Sequence, residues 1–190
     1  MPRIWFITGC SSGFGRQLAI TAAENKETVV ATSRDPSKLS DLTSMGVIAK
    51  KLDVQASDNE VKAVIDDVVS TVGPIDILIR ILRAALPSMR AHRFGVVTNF
   101  GSIAGWQSAP AVGVYCATKA AIALYTETLR NELAPFNIEV TCVEPGYFRT
   151  NFLTGGHKIT AKNRIPELDS SRTGFLVRYC GQYCPRTGDA

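Results

Sequence analysis

No apolar run in this sequence reaches the roughly 18 residues that a membrane-spanning helix needs. The first residues, "MPRIWFITG", hold too short an apolar stretch for a signal peptide, and a glycine-rich turn follows at once. Basic residues are scattered, and the formal charge of +4 is mild. With no basic tract, nucleic-acid binding is not expected. Only His92 and His157 are present, and Cys180 and Cys184 are separated by three residues instead of two, so no metal site is expected. Five cysteines is an odd number. Cys10, Cys116 and Cys142 sit in apolar or tightly turned segments and read as free thiols of a reducing compartment. These exclusions leave a cytoplasmic globular protein as the expectation.

What is there is an apolar fraction of 45% in 190 residues, enough for one domain with a proper core. Short apolar runs at 4–8, 28–33, 47–52, 75–79, 95–100 and 138–143 predict strands. They are continuous, not alternating, as strands covered on both faces should be. Helical spacing falls between them, at 16–25, 35–43, 59–72, 81–91 and 115–134. Strand alternating with helix implies right-handed crossovers and a parallel sheet between two helix layers. The expected fold is α/β, a Rossmann-like doubly wound parallel sheet of about six strands. Arg80, Arg83, Arg90 and Arg93 share a face of the fourth helical stretch and read as solvated. Residues 155–190 form a poorly patterned tail, in which "FLVRYCGQY" is the one candidate for an ordered element.

"TGCSSGFG", Thr8–Gly15, follows the first strand and opens the first helix. Gly9 can make the tight turn, Gly13 lets backbone approach a pyrophosphate, and Gly15 permits close helix–strand packing. The N–H groups of the helix start then face the anion. At the end of the second strand, where a dinucleotide's ribose is read, stand Ser33 and Arg34. A guanidinium there suits a 2′-phosphate, so NADP is expected over NAD, although Asp35 follows immediately. "YCATK" places Tyr115 and Lys119 one helical turn apart, and Ser102 lies 13 residues before Tyr115, just beyond the fifth strand.

Together "TGCSSGFG", Asp53 in "KLDV", Ser102, "YCATK" and "EPGYFRT" stand in the order and spacing of the classical short-chain dehydrogenases/reductases, and residues 3–155 resemble that family. The resemblance implies an NADP-dependent oxidoreductase that interconverts a ketone or aldehyde and an alcohol on a small lipophilic substrate, with a role in secondary metabolism as one option. It implies Tyr115 as general acid or base, Lys119 favouring the phenolate and holding the nicotinamide ribose, and Ser102 hydrogen-bonding the reacting oxygen. The turn Thr8, Gly9, Ser11, Ser12, Gly13, Phe14 and Gly15 would hold the cofactor with Ser33, Arg34, Tyr115 and Lys119. Asp53 would contact adenine, and Pro145, Gly146 and Thr150 would line the nicotinamide end.

One stretch departs from the family pattern. "IDILI" runs directly into "RILRAALPSMR", where relatives carry an "NNAG"-like turn and a helix that supplies an active-site asparagine. A few dozen residues are missing at Ile79–Arg80, and Asn99 is no substitute. The helix that usually forms the dimer face is thereby shortened, which puts homo-oligomerisation in doubt. Two further readings stay open: a catalytically impaired nucleotide-binding or regulatory relic, and a longer gene encoding extra residues between Ile79 and Arg80.

Overall fold

The computed structural model describes residues 2–79, 83–146, 148 and 166–168. The tail element near Phe175, Thr150 and the junction residues 80–82 lie outside the described residues. The first strand, β1, spans Ile4–Ile7, and β2 spans Thr28–Ser33. Strands β3 (Ile48–Lys51), β4 (Ile77–Ile79), β5 (Gly95–Phe100) and β6 (Ile138–Val143) complete a six-stranded sheet in the order β3-β2-β1-β4-β5-β6. Every neighbouring pair is parallel. The six predicted strands are therefore all present, and the shortened stretch after Ile79 still feeds β5 beside β4.

Five helices connect the strands: α1 Gly13–Glu24, α2 Ser40–Thr43, α3 Asp58–Thr71, α4 Leu86–His92 and α5 Gly113–Leu133. The predicted second helix is split into a 3-10 turn, Pro36–Leu39, followed by α2, because Asp35 and Pro36 favour a tight capped turn. The fourth shows the same pattern, with a 3-10 turn at Arg83–Ala85 before the seven residues of α4. Arg93 is not on that helix; it ends α4 in the left-handed conformation, and its guanidinium donates to the Pro135 carbonyl at 2.7 Å.

Period-two alternation explains why the strands read as unbroken apolar runs. Phe6, Val30, Leu78 and Val97 point into one core with Val61, Ile65 and Val68 of α3 and Leu129 and Leu133 of α5. Ile7, Val29, Ala31, Ile77 and Ile79 point into a second core with Ala19 and Ala22 of α1 and Leu39 and Leu42. Asp76 pins the base of the sheet: its carboxylate accepts from Ile4 N at 2.7 Å, and its carbonyl accepts from Val96 N at 2.7 Å.

The chain divides into two compact units. One comprises Met1–Phe100 and Leu124–Val143 and holds the whole sheet; the other comprises Gly101–Ala123 and the described residues from Glu144 onward. Cys10 and Cys116 are buried thiols, and Cys142 on β6 is a half-buried one.

Candidate active site

In the sheet unit, the turn after β1 is fixed from below. Thr8 is buried, with its hydroxyl donating to the Ile79 carbonyl, and Cys10 N donates to the Thr32 carbonyl at 2.9 Å. Both bonds tie the turn to the carboxyl ends of neighbouring strands. Gly9 and Gly13 have φ of 69° and 64°, where a Cβ is disfavoured. A Cβ on Gly15 would lie 2.8 Å from the Gly9 carbonyl oxygen and 2.9 Å from that of Thr8, so α1 meets the turn only because position 15 has no side chain. Gly13 faces open space, with nothing within 4 Å of its would-be Cβ.

These features fit a pyrophosphate. Ser12, the N-cap of α1, makes no side-chain capping bond, and the first turn holds no acidic residue. The dipole of this 12-residue helix favours an anion at its start. Ser11 and Ser12 are exposed there. Phe14 stacks on Phe100, with ring centroids 5.7 Å apart and planes 21° apart, which ties the turn to the end of β5. Sequence reasoning assigned Phe14 to the cofactor and missed this partner, because Phe100 lies 86 residues away in a different motif.

At the end of β2, Ser33 is buried and Arg34 is exposed. Ser33 Oγ accepts from Asp35 N at 3.3 Å. The Asp35 carboxylate is turned away to cap the next turn: one oxygen accepts from Ser37 Oγ at 2.7 Å and from Ser37 N at 3.1 Å. The Ser37 hydroxyl, then its N–H, hold the Asp35 carboxyl below its ordinary value of 3.8. Asp53, just beyond β3, is exposed and accepts from Gln55 N at 3.0 Å.

In the second unit, Ser102 precedes a 3-10 turn, Ile103–Gly105. Its Oγ accepts from Ala104 N at 3.2 Å. A hydroxyl that accepts in this way keeps its own proton to donate to a second oxygen. Gly105 packs that turn against α5: a Cβ there would meet Ala120 N and the Lys119 carbonyl carbon at 3.2 Å. The segment bearing Ser102 is therefore held against the helical turn bearing Lys119. Tyr115 and Lys119 are both half-buried, and the Lys119 ammonium lies 5.7 Å from the centroid of the Tyr115 ring. Trp106 Nε1 donates to Glu144 Oε2 at 2.6 Å, and Ile103 N approaches the Pro145 carbonyl at 3.5 Å. Pro145 is half-buried, and Gly146 is open, with nothing within 4 Å of a would-be Cβ. The Trp106–Glu144 link was not foreseen; a lone exposed tryptophan gives no sequence signal of its partner.

Asn99 is not offered to a ligand. It is buried in β5, and its Nδ2 donates to Thr126 Oγ1 at 2.8 Å. A depression of about 420 Å³ is lined by Arg130, Ala134, Asn137, Ile138, Glu139 and Val140, none of them a predicted site residue.

A parallel sheet with helices on both faces, and a glycine turn leading from β1 into α1, define a dinucleotide-binding α/β protein. The sequence pattern of the short chain dehydrogenase family matches residues 3–81 and 79–158, and this chain belongs to that family. It is similar to 3-ketodihydrosphingosine reductase of Bacteroides thetaiotaomicron, 33% identical across 80% of this chain and 66% of that protein. Human retinol dehydrogenase 8 is 30% identical across 97% of this chain and 70% of that protein. A short-chain dehydrogenase from Streptomyces avermitilis has the same fold, with a TM-score of 0.82 and 30% identity over 95% of this chain and 78% of that one.

The chain spans 66% of the length of the Bacteroides protein. The family pattern matches in two pieces that meet at residues 79–81, the junction singled out from "IDILIRILR". The alignment with the human protein runs over 221 positions, more than the 190 residues of this chain.

Proposed function

We propose that this chain binds NADP(H) and interconverts a ketone or aldehyde and an alcohol on a small lipophilic substrate, of the kind met in secondary metabolism, in the cytoplasm. The observation that carries the reading is the Tyr115–Lys119 pair on one turn of α5, with the Ser102 segment packed against that turn. When bound, the nicotinamide supplies the hydride for reduction or accepts it in oxidation. The turn at Gly9–Gly15 would bind the pyrophosphate at the start of α1. Arg34 would bind the 2′-phosphate, Asp53 would contact the adenine, and Pro145, Gly146 and Thr150 would line the nicotinamide end.

In the direction of reduction, the carbonyl oxygen accepts a hydrogen bond from the Ser102 hydroxyl, which stays oriented by Ala104 N. Tyr115 gives its phenolic proton to that oxygen as the carbon receives the hydride, leaving an alcohol and a phenolate. The Lys119 ammonium stabilises the phenolate until a proton from solvent restores the hydroxyl. Oxidation reverses each step. A lipophilic substrate is supported by the relatives named for ketodihydrosphingosine and retinol.

The gap at residues 79–81 favours a second reading in which nucleotide binding persists and turnover is impaired. Relatives place an asparagine in the missing segment, and Asn99 is committed to Thr126. The short α4 also removes part of the usual dimer face, so a monomer is favoured over a homo-oligomer. Steady-state oxidation of NADPH with a panel of aliphatic and aromatic ketones tests both readings. The first expects turnover that Tyr115→Phe abolishes; the second expects NADPH binding with no turnover.

A further inference from the structure

Four cations of the sheet unit are ion-paired: Arg3 with Glu27, Arg16 with Asp41, Lys50 with Asp67 and Lys62 with Asp66. Three others, Arg34, Lys38 and Lys51, make no hydrogen bond or ion pair through their side chains among the described residues, and all three are exposed. They gather at one place. Lys51 is the last residue of β3 and stands in register with Ser33, the last residue of β2. Paired residues of adjacent parallel strands lie about 5 Å apart and share a face. Arg34 follows Ser33 directly, and Lys38 stands in the 3-10 turn that begins two residues later.

Lys50 and Lys51 divide between the two faces of β3. Lys50 points to α3 and bonds Asp67 at 2.6 Å, so it is spent on the fold. Lys51 is directed to the face of Ser33. The charges of Lys38 and Lys51 both act to lower the Asp35 carboxyl, after the larger effect of its Ser37 bonds, so both lie within electrostatic reach of it. Its carboxylate is occupied by Ser37, and Asp41 is occupied by Arg16. Three cations without a side-chain partner among the described residues therefore gather beside a carboxylate that Ser37 holds through one oxygen. A phosphate monoester carries a charge of about −1.5 to −2 near pH 7, and such a cluster favours it over a neutral hydroxyl.

We propose that Lys51 is a specificity-determining residue for the 2′-phosphate, completing with Lys38 a three-cation binding place around Arg34. The inference rests on the NADP reading above and adds to it a contact from β3, a strand otherwise assigned only to adenine through Asp53. Its sign is selective: Lys51 stabilises nucleotides that carry a 2′-phosphate and leaves the others unaffected.

The test is calorimetric titration of wild type, Lys51→Gln and Lys51→Arg with 2′,5′-ADP and with 5′-ADP, repeated with NADPH and NADH, after thermal melts show equal folding. Lys51→Gln should weaken 2′,5′-ADP and NADPH by about three- to tenfold, leave 5′-ADP and NADH unchanged, and be rescued by Lys51→Arg. Equal weakening of both ligand classes would overturn the proposal, since Lys51 would then support the fold or the adenosine. No change in either would overturn it as well. Wild type that binds NADH and NADPH equally refutes the NADP reading itself; wild type that prefers NADPH while Lys51→Gln retains the full preference refutes only the role of Lys51.

Discussion

Trp106 Nε1 donates to Glu144 Oε2 at 2.6 Å, joining the segment that follows Ser102 to the Glu-Pro-Gly segment that follows β6. The indole is otherwise 72% exposed, so this bond and not burial fixes the ring. An exposed hydrogen bond to a carboxylate contributes about 0.5–1 kcal/mol. A double-mutant cycle with Trp106→Phe and Glu144→Ala, followed by urea unfolding, should return a coupling energy of that size. Strictly additive effects would show that the two residues act independently.

Tyr115→Phe deletes one oxygen and keeps the ring beside Lys119. Where the parent turns over a ketone, the variant should lose about 10²- to 10⁴-fold in turnover, the usual worth of general acid–base catalysis. Its NADPH affinity should stay within about twofold. Turnover retained in the variant would remove Tyr115 from the proton-transfer role.

Gly15→Ala tests the contact between α1 and the glycine turn. The new methyl would lie 2.8 Å from a backbone oxygen, and no flexible side chain is there to yield. A loss of about 1–3 kcal/mol in stability is expected, together with weaker NADPH binding, because the helix start must move. Unchanged melting and unchanged binding would contradict the packing described here.

Acid should weaken the chain through three carboxylates held below their ordinary values. Bonds from the Arg3 side chain and then its N–H lower Glu27, and bonds from the Ser57 hydroxyl and then its N–H lower Glu60. Bonds from Ser37 lower Asp35. A carboxyl with a depressed folded-state value adds stability above its unfolded value, and that stability is lost as the pH falls through the folded value. The contribution is therefore complete above about pH 5 and decays below the ordinary value of 4.5 for Glu27 and Glu60. Glu60→Gln, which alters the capping box at the start of α3, should be less stable than its parent at pH 7 and show a flatter decline toward pH 3. Melting curves at half-unit steps give the comparison; parallel declines would exclude Glu60.

Much of this was legible in the sequence because both faces of the sheet are buried. Runs such as Thr28–Ser33 and Ile138–Val143 fixed their own limits through continuous apolar or β-branched residues. The glycine turn was legible because Gly9, Gly13 and Gly15 each meet a distinct steric demand. What stayed hidden are pairings between distant segments whose members carry no periodic signal: Phe14 with Phe100, Trp106 with Glu144 and Asn99 with Thr126. The placement of Lys51 beside Ser33 depends on strand register, which no local pattern reveals. Ser102 combines both cases, since its spacing to Tyr115 was visible and its bond from Ala104 N was not.

The central claim is that the sheet unit holds a 2′-phosphorylated dinucleotide although the family pattern matches this chain in two pieces that meet at residues 79–81. Titrating the purified chain with NADPH, followed by nicotinamide fluorescence and run beside NADH, tests it most directly. The account predicts saturable binding of both, tighter for NADPH, with the preference shrinking as salt screens the cations. A folded chain that fails to saturate with either nucleotide, or that binds the two equally, would contradict it.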